Sequence, residues 1–279
     1  MQLVARCAET PTPPRAATRR TAHATRALRF GRLLILLVRL WFFARLAAAR
    51  LTPAARARAV SVWAQRILAA LSVEVRPRGH VPTADAPLLI VANHVSWLDS
   101  YALNAVSAAR FVAKSEVRGW PLIGSIAIRF DTVFLKRGCY RAAARTVGTL
   151  ATVLSEPRPA AAFPEGTTSE SGRPSRFFPA LFQAAVLSGA RVQPVAIRYR
   201  DADGATTSAA AYVGEMSVFD SLRCVLREPR LTAELVFCAP LDSAGRTRGE
   251  LAALAHAAIA AALGAGGHAL GSTPFSRAA

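Results

Sequence analysis

Ala92-Asn93-His94-Val95-Ser96-Trp97-Leu98-Asp99 is the stretch on which the reading of this chain turns. The apolar run before it, Pro87 to Val91, reads as a buried strand. Ser96-Trp97-Leu98-Asp99 has the Ser-x-x-acid spacing of a capping box, which starts a helix there with Ser96 as N-cap. His94 then falls in the turn between strand and helix. In one continuous helix His94 and Asp99 would lie about 140° apart, so they meet only if a turn precedes Asp99. Such a turn lets a carboxylate fix one imidazole tautomer while the other ring nitrogen takes a proton. Taken alone, His94 also reads as a polar turn residue and Asp99 as a plain capping carboxylate.

A second stretch, Phe163-Pro164-Glu165-Gly166-Thr167-Thr168-Ser169, follows some seventy positions on. Ala160-Ala161-Ala162-Phe163 reads as another buried strand, with Pro-Glu-Gly at its carboxyl end. Loops at that end of the strands are where open α/β sheets bind ligands.

Four segments in series resemble the 1-acylglycerol-3-phosphate acyltransferase family. Asn93, His94 and Asp99 match its Asn-His-x-x-x-x-Asp motif. Phe134-Leu135-Lys136-Arg137-Gly138 is similar to its second motif. Phe163 to Thr167 and Ser169 match Phe-Pro-Glu-Gly-Thr-Arg-Ser, with Thr168 in the place of the Arg, and Val192-Gln193-Pro194-Val195-Ala196-Ile197 is similar to the fourth. Lys114-Ser115-Glu116 and Trp120-Pro121-Leu122-Ile123-Gly124 also recur between the first two motifs in that family. The resemblance covers roughly residues 75 to 200.

The resemblance implies acyl transfer from acyl-CoA or acyl carrier protein to the hydroxyl of a lysolipid, most simply lysophosphatidic acid. It implies His94 as general base, Asp99 as its orienter, and Asn93, Glu165, Gly166 and Thr167 at the substrate. The acceptor attacks the thioester directly, so no enzyme nucleophile, metal or cofactor is required. Ser96 is better used as a helix cap than as a nucleophile. Arg137 suits an acceptor phosphate, because a guanidinium fork matches phosphate geometry and stays charged. Lys136 assists it only if strand alternation allows, and Lys114 is available for phosphate or the donor's pantetheine arm. Thr168 removes one phosphate ligand, for which Arg173 or Arg176 would have to compensate. A family branch with Phe-Pro-Glu-Gly-Thr-Thr-Ser includes enzymes that acylate lyso-ornithine lipid, the second candidate acceptor.

Charge separates the remaining classes. The 279 residues carry a formal charge of +18 at 52% hydrophobic composition, which calls for a polyanionic partner beside a good-sized core. Residues 1 to 60 hold twelve Arg against one acid, Glu9, so +11 of the +18 lies there. That concentration sits beside the most hydrophobic segment and favours an anionic bilayer surface over nucleic acid, for which no zinc-finger, basic-zipper or single-strand-binding signature is present. A lipid-binding protein without activity is a further reading, against which the intact His94, Asp99 and Glu165 stand. Cys7, Cys139, Cys224 and Cys238 have no C-x-x-C spacing and fit a reducing cytoplasm without disulfides or zinc.

In chain order, residues 1–25 read as a disordered basic tail and 26–72 as a helix pair that seats the chain on a membrane. Residues 73–265 read as a mixed α/β acyltransferase domain, and 266–279 as a loose tail. Within 26–50, Arg39 and Arg45 interrupt the apolar runs, whereas a spanning helix wants ~20 apolar residues and a central Arg costs ~2.5–3.5 kcal/mol. The segment reads as an interfacial helix with Trp41, Phe42 and Phe43 in the acyl boundary, and a single span is the alternative. Thr52-Pro53 opens the next helix, whose Val60, Trp63, Ile67 and Leu71 form a packing stripe. Location on the cytoplasmic face of the inner membrane follows from the resemblance. Strands are expected at 73–77, 87–91, 110–114, 131–135, 159–163, 192–198 and 231–238, with helices at 98–107, 140–154, 178–189, 217–226 and 248–263.

Overall fold

The computed structural model describes residues 21–82, 86–135, 140–169 and 173–264. Two helices lead: α1 (His23–Leu46) and α2 (Pro53–Ala70), joined by a 3-10 turn at Ala48–Arg50. Thr52 caps α2 by accepting the Ala55 N–H at 3.3 Å, with Pro53 at the first helical position, where a missing N–H costs nothing. Then follow β1 (Val73–Arg78), β2 (Leu88–Ala92), α3 (Leu98–Ser107), β3 (Arg110–Lys114), α4 (Ile123–Arg129), β4 (Val133–Leu135), α5 (Tyr140–Leu154) and β5 (Ala160–Ala162). The chain ends with α6 (Phe182–Ser188), β6 (Arg191–Arg200), α7 (Val218–Arg227), β7 (Leu231–Phe237) and α8 (Arg248–Gly264).

The strands form one mixed sheet in the order β1-β7-β6-β2-β5-β3-β4. All neighbours are parallel except β6 and β7. β2 shows why its run is apolar throughout. Leu88, Ile90 and Ala92 enter a core shared with α1, α2, α3 and α7, while Leu89 and Val91 enter a second with α5, α6 and α8. A strand covered on both faces has no reason to alternate. The outer strand β1 does alternate, burying Val73 and exposing Glu74, Arg76 and Arg78, and it carries Pro77, tolerated on an edge.

The same topology opens a cleft. β2 and β5 are parallel neighbours, paired Leu89 to Ala160 and Val91 to Ala162, so their carboxyl ends lie side by side. From β2 the chain crosses to β3 through α3 on the first face; from β5 it crosses the other way to β6 through α6 on the second. Loops that leave adjacent strands toward opposite faces part at their tips, and a crevice forms there.

The observed elements differ from the expectation in specific places. The strand expected from 131 begins at Val133, because Asp131 takes a left-handed φ of 60° and binds Arg56 and Arg158 at 3.1 and 2.8 Å. The helix expected over 178–189 is a 3-10 turn, Pro179–Leu181, followed by the shorter α6. α4 was not expected. α1 starts at His23, inside the segment read as tail, while residues 1–20 and 265–279 lie outside the described residues.

α1 lies against the domain. Arg29 donates to the carbonyls of Glu228 and Pro229, both at 2.8 Å, and Leu33, Leu40 and Ala44 are buried. Phe43, expected at lipid, faces Trp63 of α2 instead, ring centroids 5.7 Å apart. The stripe Val60, Trp63, Ile67 and Leu71 is buried as read. Leu28, Leu34, Ile35, Val38, Phe42 and Leu46 remain exposed. No described helix is long and apolar enough to cross a membrane.

Candidate active site

Both motifs leave their strands at the cleft. Asn93, directly after β2, turns its amide onto β6: its Nδ2 donates to the Ile197 carbonyl at 2.9 Å and its Oδ1 accepts the Ile197 N–H at 2.7 Å. The side chain thereby continues the β2–β6 ladder by one step after the backbone has turned away. His94 is then placed by the other motif. Its N–H donates to Glu165 Oε1 at 3.0 Å, and its carbonyl accepts the Ser169 N–H at 2.7 Å. Its ring stacks on Phe163, centroids 3.9 Å apart and planes 7° from parallel.

The imidazole meets Asp99 as the turn geometry requires, His94 Nδ1 to Asp99 Oδ2 at 2.8 Å. The same Oδ2 accepts the N–H of Val95 at 2.7 Å and of Ser96 at 2.9 Å. Oδ1 accepts the Tyr199 hydroxyl at 2.7 Å. Asp99 is fully buried, yet both oxygens are provided for, as a buried carboxyl needs. Burial and the facing Asp99 carboxylate push the Tyr199 phenol well above its usual range, so it stays a proton donor. The His94 side chain keeps 21% exposure, and its Nε2 has no partner among the described residues. One ring nitrogen is thus fixed and the other left open to the cleft, the arrangement of a positioned base.

The capping box is half formed. Asp99 reaches back to the Ser96 N–H, but the Ser96 hydroxyl accepts from Leu98 at 3.3 Å, and α3 begins at Leu98 with Trp97 as N-cap. The Val95 and Ser96 amides converge on one Asp99 oxygen, which tightens the turn by a residue relative to the simple box.

A family model described as "Acyltransferase" matches residues 72–198. A lyso-ornithine lipid O-acyltransferase of Pseudomonas aeruginosa is 39% identical over 78% of this chain and 83% of its own length. The chain belongs to the acyltransferase family. A 1-acyl-sn-glycerol-3-phosphate acyltransferase of Neisseria meningitidis is 33% identical over 69% of this acyltransferase and 75% of its own length. The crystal structure of the 1-acyl-sn-glycerophosphate (LPA) acyltransferase PlsC from Thermotoga maritima superposes with a TM-score of 0.62 over 88% of this chain and 100% of that one, at 21% identity. That likeness shows the fold.

In this acyltransferase the other expected residues separate. Glu165 is buried, and its Oε2 accepts the Ser175 N–H at 3.2 Å. Gly166, at a φ of 72°, closes a tight turn through its N–H to the Phe163 carbonyl at 3.1 Å, a conformation that favours glycine. Thr167 is exposed beside it. Lys114 ends β3 on the same edge of the sheet, opposite Leu135 of β4. Arg137 lies outside the described residues, with Lys136. Arg176 is exposed in a groove against α8 with Phe177 and His256, on the α8 side of the loop. Thr168 donates its hydroxyl to the Tyr212 carbonyl. Among the described residues no group of His, Cys, Asp and Glu is arranged to hold a metal ion.

Reading the sequence alone missed Phe163 as a ring partner, Ser169 as a holder of His94, and Tyr199 and Tyr212. Tyr199 did leave a signal: a tyrosine within a strand buried on both faces needs a partner for its hydroxyl.

Proposed function

We propose that this acyltransferase moves an acyl chain from a thioester donor, acyl-CoA or acyl carrier protein, to the free hydroxyl of a lysolipid. The observation that carries this is the 2.8 Å bond from His94 Nδ1 to the buried Asp99, with Nε2 open to the cleft. In the reaction the acceptor oxygen attacks the thioester carbonyl as its proton passes to Nε2. Asp99 holds the imidazolium in place. Collapse of the tetrahedral intermediate breaks the C–S bond, and the leaving thiolate takes the proton from Nε2. Histidine returns neutral, and no enzyme atom has been acylated.

Two acceptors fit. Lyso-ornithine lipid is favoured by Thr168, whose hydroxyl is turned to Tyr212 at the position where an arginine would bind phosphate, and by the 39% identity to a relative of that name. The second reading, 1-acylglycerol-3-phosphate giving phosphatidic acid, is favoured by Lys136-Arg137 and by the relative from Neisseria. The exposed apolar stripe of α1 beside Arg32 and Arg39 supports action on an anionic bilayer surface.

The test is transfer from labelled acyl-CoA to both lysolipids in parallel, by the wild-type protein and His94→Ala, repeated with acyl-carrier-protein thioester. Turnover that disappears in His94→Ala supports the scheme. Turnover kept by the variant removes His94 as base, and the acceptor that is acylated decides between the readings.

A further inference from the structure

The connection from β6 to α7, Asp201 to Ser217, crosses both motif turns at a single residue. Tyr212 donates its N–H to the Val95 carbonyl at 2.9 Å, and its own carbonyl accepts the Thr168 hydroxyl. Val95 follows His94 in the chain, and Thr168 precedes the Ser169 that holds the His94 carbonyl. The Tyr212 peptide groups therefore sit one residue away from the groups that define the base. The strand-side part of the connection is fastened too: Thr207 donates to the Tyr199 carbonyl at 3.0 Å, and Ala210 and Ala211 are buried.

Beyond Tyr212 the chain turns at once. Met216 donates to the Val213 carbonyl at 3.4 Å around Gly214, whose φ is 63°, and Glu215 stands exposed on this turn. The next acid, Asp220, is engaged by the Ser217 hydroxyl at 2.6 Å. Among the described residues Glu215 has no ion-pair partner. Three residues span at most about 10 Å, so its backbone lies within that distance of Tyr212, the residue bound to both motif turns. A lysolipid with its hydroxyl at His94 projects its headgroup over such a length.

We infer that this connection selects the acceptor: Thr168 fixes it over the cleft as a positioning residue, and the Glu215 carboxylate receives an ammonium group on the lysolipid headgroup. A phosphate headgroup meets like charge at the same place. The inference rests on the proposal that a lysolipid is acylated here, and deepens it by naming what distinguishes a headgroup that carries an ammonium from one that carries only phosphate.

The experiment compares kcat and KM on lyso-ornithine lipid and on lysophosphatidic acid in uncharged detergent micelles, for wild type, Glu215→Gln, Thr168→Ala, Thr168→Ser and Asp203→Asn. Glu215→Gln is expected to lower the ornithine-to-phosphate ratio of kcat/KM about fivefold, the effect of one exposed ion pair, with the change in KM. Thr168→Ala is expected to lower the same ratio and Thr168→Ser to restore it. Asp203, exposed at the start of the connection, is expected to leave it unchanged on substitution. Equal effects of Glu215→Gln on both acceptors overturn the inference while leaving the proposed reaction standing. A Thr168→Ala ratio equal to wild type overturns the positioning role. Wild-type turnover of the phosphate acceptor alone overturns the ornithine reading and this inference together.

Discussion

The carboxylate of Glu165 accepts the backbone N–H of His94 at 3.0 Å, across 71 positions of sequence. Its other oxygen accepts the Ser175 N–H at 3.2 Å. A buried acid in the third motif thus supports the peptide of His94 in the first, and it does so as a two-sided acceptor.

That arrangement separates charge from shape. Glu165→Gln keeps the volume but turns one acceptor into a donor that faces an N–H. Glu165→Ala leaves two N–H groups without partners, at about 1–3 kcal/mol for each buried one. Both variants are expected to lose kcat, and the Ala variant to lose thermal stability as well. Full activity in Glu165→Gln, measured with labelled acyl donor, would show that the His94 peptide needs no help from this residue.

Tyr199 acts through Asp99. Tyr199→Phe preserves the ring in the core but removes the hydrogen bond to Oδ1. A loss of one charge-assisted bond, ~1.4 kcal/mol, corresponds to about tenfold in kcat. KM for both substrates is expected to hold, and the pH profile of kcat to move, because the partner of the imidazole changes. An unaltered profile with a lower melting temperature would make Tyr199 a packing residue only.

The exposed stripe of α1 gives a prediction about membranes. Replacing Ile35 and Phe42 together by Ser removes two of its large side chains, each worth up to about 1.5–3 kcal/mol when fully buried. Sedimentation with anionic vesicles is expected to weaken at least tenfold, while activity in detergent micelles persists. Unchanged sedimentation would place the lipid contact elsewhere on the molecule.

Glu234 sets an acid limit. It is buried between Arg78, Arg198 and Arg200 across β1, β7 and β6. Burial alone would push its carboxyl up, but the guanidinium groups outweigh this and hold it below the usual range. The folded value being lower, the stabilisation is complete above about pH 4.3, the unfolded value, and is lost as pH falls through the folded one. Glu234→Gln is expected to be less stable than wild type in urea at pH 7, with the gap closing toward pH 3. A gap of constant size would assign the loss to packing.

What the sequence disclosed follows the range of the interactions involved. The bounds of α3, α5 and β3 fall where local periodicity puts them, because a helix stripe or a strand run is written in consecutive residues. α4 was hidden behind Trp120-Pro121, where proline reads as a break, although Leu122 turns the chain back at a φ of 61° and a helix resumes. The strand order could not be read, since β1 pairs with a partner met only at Leu231. In the site, His94 and Asp99 share one turn, so their contact followed from spacing. The bonds from Tyr199, Tyr212 and Ser175 depend on where β6 and two long connections return, which no local pattern records.

The placing of β1 has a consequence for how the protein is made. Its one sheet neighbour is β7, so a strand that leaves the ribosome at position 73 waits for about 160 more residues, roughly 8–30 s of translation at 5–20 residues per second. For that interval it is an unpaired edge in a crowded cell. Glu74, Arg76, Pro77 and Arg78 are residues that discourage pairing with stray strands. The charge of Arg78, later paired with Glu234 in the finished sheet, first serves as a safeguard during synthesis.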